Sequence, residues 1–535
     1  MAQQQADSAV RPPDEHSYLS HQQILTVLFG VMAGMFLAAL DQSIVGVALP
    51  RIVSDLGGLD HLSWVVTAYL LTSTASTPLW GKFSDLYGRR IVFQVAIATF
   101  IIGSALCGAS QDLYQLIIFR AIQGAGGGGL FAIAFAIIGD IIPARDRGRY
   151  QGYFGAVFGV SSLAGPLLGG FFTDGPGWRW IFYVNVPIGI AALVITSMNL
   201  RLPVMRREHT IDYAGAATVV GAVTSLLLYL NWAGDRYGWT SASALALAGL
   251  AVVLGVAFVL IELRAKEPII PMSLFRNGIF RVGTIFSFLL GFAMFGGFIY
   301  LPLYLQTAKD MSSTESGLAT FPTVLGLLTF SISSGQMVSK TGRYRIFPIV
   351  GSALTILGLL QLTQLEVDTP YWQIAVAAFT FGSGLGLCMQ TITVAVQNSV
   401  SFRDMGVATS SVTFVRSLGA AIGTAFLGAI LGTRLAHYLS DSGVNVGAGG
   451  GEGANNIEAI RALPDNVKHL VLEAYSNAID DIYMASIPVA ILALVTALFL
   501  KEIPLRTGGA PPAAQAAAGK ENAEVDTSVP AFSGH

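Results

Sequence analysis

Three ionisable side chains stand deep inside apolar stretches of this chain: Asp41 in FLAALDQSIVGVALP, Arg120 in LIIFRAIQGAGGGGLF and Arg416 in SVTFVRSLGAAIGTAFLG. A charge at the centre of a lipid-embedded helix costs about 2.5–3.5 kcal/mol on insertion scales, so each needs a partner or a water-filled cavity. Asp41 is the one acidic residue well inside such a stretch. Burial and a nearby guanidinium act on a carboxyl's proton affinity in opposite senses, which makes Asp41 a candidate proton carrier. It stands about 25 Å from the inner end of its stretch at 1.5 Å per residue, and Arg120 about six residues from the outer end of its own. Their layers match, so an Asp41–Arg120 interaction is feasible. The plainer reading is a structural ion pair that fixes helix packing. The carrier reading carries a condition: the carboxylate must not face acyl chains or sit in a contact that water never reaches. Arg416 leaves two options open, an anionic or polar substrate group or the carbonyls of a broken helix.

A second candidate chemistry lies in the glycines after Arg120. Gly124, Gly126 and Gly129 fit the G-x-G-x-x-G spacing of a dinucleotide-phosphate loop. Composition argues against it. The 535 residues are 53% hydrophobic and 12% charged, with mean hydropathy +0.62, whereas soluble domains carry about 25% charged residues. No strand precedes these glycines and no acidic residue is placed to hold a ribose. They read as the small face of a membrane helix that lets neighbours approach closely. A net charge of -2 gives no hint of nucleic acid. Cys107 and Cys388 lie in apolar runs, so no disulfide framework is expected. The polar start MAQQQADSAVRPPDEHSYLSHQQ lacks the basic front and cleavage site of a signal peptide, so the first apolar stretch is expected to remain.

The elements that position these groups are stretches long enough to cross a bilayer. Fourteen occur, near 24–50, 62–80, 91–110, 114–138, 150–172, 180–199, 213–232, 241–262, 282–305, 315–335, 346–365, 371–397, 406–432 and 480–500. The fold class expected is an all-α polytopic membrane protein. With a cytoplasmic amino terminus, only Arg51, Arg179, Arg236, Lys309, Arg434, Arg461 and Lys468 fall outside; the other loop Lys and Arg fall inside. That excess sets both termini in the cytoplasm of a cell (inner or plasma) membrane protein. Dropping one stretch would reverse every later loop.

An internal repeat divides the chain. GKFSDLYGRR (Gly81–Arg90) and GQMVSKTGRYR (Gly335–Arg345) read as loops that each place Gly, then Gly-Arg seven residues on, at the inner end of a helix. The copies lie eight stretches apart, which a six-plus-six repeat with two inserted helices explains. The expected domains are a tail over 1–23, a six-helix bundle over 24–200 and two linker helices with basic flanks over 201–281. A second six-helix bundle follows over 282–505, with an outer loop over 433–479, and then a disordered tail over 506–535. Within that loop, DNVKHLVLEAYSNAIDD has helical periodicity and could lie on the outer face. Nothing here could hold a soluble catalytic domain, and no G-x-x-x-x-G-K-[ST] binds ATP. The reading is therefore not an enzyme, with no cofactor, no metal and no ATPase subunit required. The partners expected are the lipid bilayer, protons and a small-molecule substrate.

Six motifs in order resemble the major facilitator superfamily, and within it the fourteen-helix drug/proton antiporter branch often called EmrB/QacA. They are LDQSIVGVALP (with Gly46 where Asn is usual), GKFSDLYGRR, LIIFRAIQGAGGGG, GAVFGVSSLAGPLLGG, WRWIFYVNVPIG and DYAGA. The resemblance implies proton coupling through Asp41 and Arg120, and a conformational latch of Gly81, Asp85, Gly88, Arg89, Arg90 and Asp140. In that latch Asp85 faces Met405 and Gly406, while Arg89 or Arg90 pairs with Asp140. Ser339 replaces the Asp in the second copy, so an asymmetric latch is expected. The antiporter motif of Gly155, Gly159, Gly165, Pro166, Gly169 and Gly170 implies a tight, hinged contact with the other bundle and an export direction. Flexible, aromatic and amide groups suggest a substrate cavity of Gln42, Trp64, Tyr69, Gln123, Met294, Phe295, Tyr300, Tyr304, Met389, Gln390, Gln397 and Arg416. The function expected is proton-driven multidrug efflux of hydrophobic or amphipathic molecules by alternating access. Export of a lipid, siderophore or self-made antibiotic is the same-fold alternative. A non-transporting membrane sensor or scaffold is the alternative of another class.

Overall fold

Where no water pairs with the backbone, each apolar segment must satisfy its own N–H and C=O groups, and a helix does so. The computed structural model describes residues 21–56, 63–142, 144–199, 212–232, 238–401, 404–441 and 465–505. Among these residues every regular element is helical. The first half comprises α1 (His21–Leu56), α2 (Ser63–Tyr87), α3 (Arg89–Ala109), α4 (Leu113–Ile141), α5 (Ala144–Asp174), the single turn α6 (Trp180–Tyr183) and α7 (Asn185–Asn199). Next come α8 (Tyr213–Trp232) and α9 (Ala242–Glu262). The second half comprises α10 (Gly278–Thr307), the short α11 (Ser313–Ala319), α12 (Phe321–Thr341), α13 (Ile346–Leu362), α14 (Tyr371–Ser399), α15 (Met405–Asp441) and α16 (Asp465–Leu498). Each of the fourteen apolar stretches carries a helix. Among the described residues, twelve are long and apolar enough to cross a membrane, α13 is apolar but shorter, and α2 falls in neither group.

α1–α7 pack chiefly among themselves, and so do α10–α16; α8 and α9 pair with each other and touch α2 and α15 through α8. The two sets meet mainly along α5–α12 and α2–α15, with α4 also against α15 and α5 against α14. The repeat is visible in the backbone. Gly88 (φ 93) ends the α2 run and Gly342 (φ 72) ends α12, each in a conformation that a side chain would strain. Both glycines mark the end of the molecule where the basic loops gather, called here the basic end.

Three segments depart from the sequence reading. Gly81–Tyr87 is no loop: α2 runs on past Pro78 through Tyr87 and breaks only at Gly88. The stretch near 315–335 is not one helix. Ser312 and Glu315 form a capping box that starts α11, and α12 restarts with Pro322 in its first turn. DNVKHLVLEAYSNAIDD does not lie across the face but opens α16, continuous with the last apolar stretch. Its Val471, Ala474, Tyr475 and Ala478 pack on Leu435 and Leu439 of α15, so the expected 433–479 loop is largely a helical hairpin. The amino-terminal tail, the segment 442–464 and the 506–535 tail lie outside the described residues, apart from His21–Gln23.

Candidate functional site

Asp41 and Arg120 meet inside the first set of helices. Nη1 of Arg120 lies 2.5 Å from Oδ2 of Asp41, and the two residues are 1% and 0% exposed. Around them is a closed network. Gln123 Nε2 donates to Asp41 Oδ1 (2.8 Å) and to Ser104 Oγ (3.0 Å), while its Oε1 accepts from Arg120 Nη1 (2.8 Å). Asn185 Nδ2 reaches Asp41 Oδ1 (3.4 Å) and Ser104 Oγ (3.1 Å). Ser104 donates onward to Phe182 O. Arg120 Nε donates to Val65 O (3.0 Å), and its guanidinium lies 4.3 Å from the Tyr69 ring centroid. Both carboxylate oxygens thus hold donors, and the cation holds two neutral acceptors besides Asp41. That composition lets the pair exist ionised in a dry interior, where an uncompensated charge would not persist. The carrier reading asked for water at Asp41; in this conformation the residue has no exposed surface, although the next residue, Gln42, is exposed.

Close helix approach builds this network. A Cβ on Gly103 of α3 would fall 2.5 Å from Gln123 N, so only glycine lets Ser104 reach Gln123. On α4, a Cβ at Gly124 or Gly128 would strike α2, and one at Gly126 would strike α3. The glycine run therefore seats α4 between two neighbours. Trp80 Nε1 (2.6 Å) and Ser76 Oγ (3.1 Å) both donate to Ala125 O and tie α2 to it.

At the basic end, Asp85 sits against the start of α15. Its Oδ2 accepts from Val407 N (3.0 Å), and a Cβ on Gly406 would strike Asp85 and Arg89. Arg89 bridges Asp85 and Asp140 (Nε–Oδ2 2.7 Å), whereas Arg90 donates to Ser197 O. Of the two arginines, Arg89 takes the Asp140 contact. Burial pushes the Asp85 carboxyl up to about 6; Arg89 opposes this and Asp140 adds to it. Gly81 of α2 faces Ser410 of α15, and Gly139 of α4 faces Met405. Gln397 Nε2 crosses from α14 to Phe135 O (3.0 Å). In the second copy, Ser339 Oγ accepts from Arg149 N (3.3 Å). These three hydrogen bonds between the two sets lie toward this end.

The glycine motif of α5 divides its contacts. Gly155 packs on Ser331 and Gly159 on Val324 and Leu328, all of α12. Gly165 instead faces Ser43 of α1, inside its own set, where Ser43 Oγ donates to Ser161 O. Gly169 and Gly170 offer carbonyls to Thr173. The side chain of Pro166 lies outside the description, and so does that of Phe295.

Most residues grouped as a cavity are buried or hold a local partner in this conformation. Trp64 packs edge-on against Trp232 of α8 (5.3 Å), Tyr69 underlies Arg120, and Gln123 is the hub of the ionic network. Tyr300 donates to Thr424 O (3.4 Å), and Tyr304, 0% exposed, to Glu366 O (2.8 Å). Met294 packs half-buried against the core of the second set. Met389 and Gln390 are buried, Gln397 is bonded to Thr409 and Phe135, and Arg416 is 7% exposed. An open cleft of about 490 Å³ exists at the basic end, between Lys340–Arg343 and Glu502–Leu505, remote from Asp41.

Sequence reasoning missed Ser104, Asn185 and the Val65 carbonyl. Asn185 had a signal: WRWIFYVNVPIG breaks into α6 and α7 between Tyr183 and Asn185, which turns that amide inward at a helix start.

The Major Facilitator Superfamily profile matches residues 31–424. The multidrug transporter protein MdtP of Bacillus subtilis (strain 168) is 40% identical over 417 residues, covering 78% of this chain and 76% of that protein. Multidrug resistance protein 3 of the same organism is 35% identical over 492 residues, covering 90% of this chain and 96% of that protein. Among solved structures, the proton:xylose symporter XylE superposes with TM-score 0.59 at 14% identity over 91% of this chain and 98% of its own, a likeness of fold.

Proposed function

The chain belongs to the Major Facilitator Superfamily, and on that premise we propose that it is a proton-coupled antiporter exporting hydrophobic or amphipathic small molecules. It is a multi-pass membrane protein and a transporter rather than an enzyme, with relatives named as a multidrug transporter protein and a multidrug resistance protein. The finer reading places it in the fourteen-helix antiporter branch, as two six-helix bundles, α1–α7 and α10–α16, with α8 and α9 inserted. The basic end, and both termini, face the cytoplasm.

The observation that carries this reading is the buried Asp41–Arg120 pair inside a network that suits two charge states. Deprotonated, Asp41 is held by Arg120, Gln123 and Asn185. Protonated, it releases the cation to Val65 O, Gln123 Oε1 and the Tyr69 face. On this reading Asp85, Gly81 and Met405 form the cytoplasmic gate, shut in this conformation. Because Asp41 is sealed, the proton enters in a different conformation, reached as the bundles rock. Gly155 and Gly159 supply the close α5–α12 contact on which they turn.

The zero exposure of Asp41 also favours a second reading, in which the pair is only structural and coupling resides elsewhere. Proteoliposomes separate the two. With ethidium as cargo and pyranine reporting pH, an imposed gradient drives uphill ethidium movement and ethidium accelerates collapse of the gradient. Ethidium flux indifferent to nigericin would reject proton coupling. A wild-type proton flux that survives Asp41→Asn selects the structural reading.

A further inference from the structure

Arg120 and Arg416 are both buried, at 1% and 7% exposure, yet only Arg120 has a counter-charge. Among the described residues, the Arg416 guanidinium makes no hydrogen bond, ion pair or ring contact. It stands about 16 Å along α15 from Met405 at 1.5 Å per residue, near the middle of an apolar layer about 30 Å thick. α15 is unbroken from Met405 to Asp441, so no broken-helix carbonyls await capping there. A cation so placed is costly without an anion or acceptor.

Its surroundings offer two more unused polar groups at the same depth. Gln397 of α14 donates to Thr409 of α15 (3.2 Å), which fixes the register of these antiparallel helices. Two turns outward on both, on the same faces, stand Gln390 and Arg416. Gln390 is 2% exposed and its Oε1 has no partner. On α10, Gly291 packs against the Arg416 carbonyl, and one turn before it Ser287, 0% exposed, leaves its hydroxyl unpartnered. α10, α14 and α15 are mutual neighbours. Three helices thus bring a guanidinium, an amide and a hydroxyl to one level. All three can donate, and an Arg fork suits a carboxylate, sulfonate or phosphate.

We propose that Arg416, Gln390 and Ser287 form an anion subsite, and that the cargoes include amphipathic organic anions, free or carried on a lipid headgroup, beside cations that do not use this subsite. The proposal rests on the exporter reading and names one chemical class among its cargoes. An anionic group neutralises Arg416 as Asp41 neutralises Arg120, so cargo and proton each act on one buried arginine.

The test uses two probes that share one ring system, 8-anilinonaphthalene-1-sulfonate and neutral N-phenyl-1-naphthylamine, titrated onto purified full-length protein. Wild type binds the sulfonate more tightly, and Arg416→Gln weakens sulfonate binding by about ten- to a hundredfold, the worth of a charged hydrogen bond. The neutral probe is unchanged, and Arg416→Lys keeps much of the preference. Gln390→Leu, which keeps the buried cation, lowers the same preference severalfold and reports the subsite if Arg416→Gln fails to fold. Competition by dioctanoyl phosphatidylglycerol assigns the anion to a lipid; no competition assigns it to a free solute, and the subsite stands in both cases. A sulfonate-to-neutral affinity ratio equal in all variants overturns the proposal. Gradient-driven ethidium flux tests the exporter reading separately: intact flux with an unmoved ratio sinks the subsite alone, and lost flux with a shifted ratio sinks that reading alone.

Discussion

Oδ2 of Asp41 on α1 lies 2.5 Å from Nη1 of Arg120 on α4, and neither side chain reaches the surface. Each charge is tolerable there because of the other. Arg120→Leu therefore leaves an uncompensated buried carboxylate and costs about 3–5 kcal/mol. Asp41→Asn combined with Arg120→Leu restores part of that loss. Thermal unfolding of the purified single and double variants checks it. A double variant less stable than Arg120→Leu alone would show that the two charges do not compensate each other.

Gln123 links four groups through one amide, touching Asp41, Arg120, Ser104 and Cys107. Gln123→Leu keeps the volume and removes both functions of the amide, leaving buried donors and acceptors unmet at about 1–3 kcal/mol. The midpoint of thermal unfolding should fall, and Ser104→Ala, which removes a single hydroxyl, should lower it less. Equal stability of Gln123→Leu and wild type would mean that the network does not hold the helices.

Gly81 lies so close to Ser410 that a Cβ cannot be added without movement. Gly81→Val should force α2 from α15 and open the cytoplasmic side, at an overpacking cost of about 1–3 kcal/mol. A cysteine placed at Ser410 then becomes more reactive to a water-soluble maleimide applied to inverted vesicles. Unchanged labelling would show that the two helices do not form the gate.

The latch should depend on cytoplasmic pH. Burial raises the Asp85 carboxyl to about 6 in this closed form, while an opened latch exposes it near its ordinary value of 3.8. The closed form binds the proton more tightly, so acidification favours it. Shifting the inner pH from about 7 to about 5 should increase the closed population; below the ordinary value both forms are protonated and the dependence ends. Distance measurements between labels on α2 and α15 read the populations, and Asp85→Asn should abolish the pH response. A response of opposite sign would contradict the assignment.

Much of this architecture is legible in composition alone, because a bilayer forces each apolar stretch into a helix. The Gly-x6-Gly-Arg repeat was legible because a left-handed turn demands glycine, at Gly88 and again at Gly342. The Asp41–Arg120 layer could be estimated from helix rise. What sequence could not supply was which side chains the rotation of each helix turns inward. Ser104 and Asn185 carry no charge to draw notice, yet helix approach at Gly103 and the α6–α7 break deliver both to Asp41. The aromatic residues Tyr69, Tyr300 and Tyr304 suit a cavity by type, but type alone does not reveal their local contacts with the Arg120 guanidinium, Thr424 O and Glu366 O. The extended α15–α16 hairpin was hidden because its outer turns are polar outside and apolar only where the two helices touch.

The most direct measurement is ethidium efflux from energised inverted vesicles carrying wild type or Asp41→Asn at matched expression. Proton coupling through Asp41 predicts gradient-driven efflux in wild type and none above background in the variant, with ethidium binding retained. Undiminished gradient-driven efflux in Asp41→Asn would contradict it.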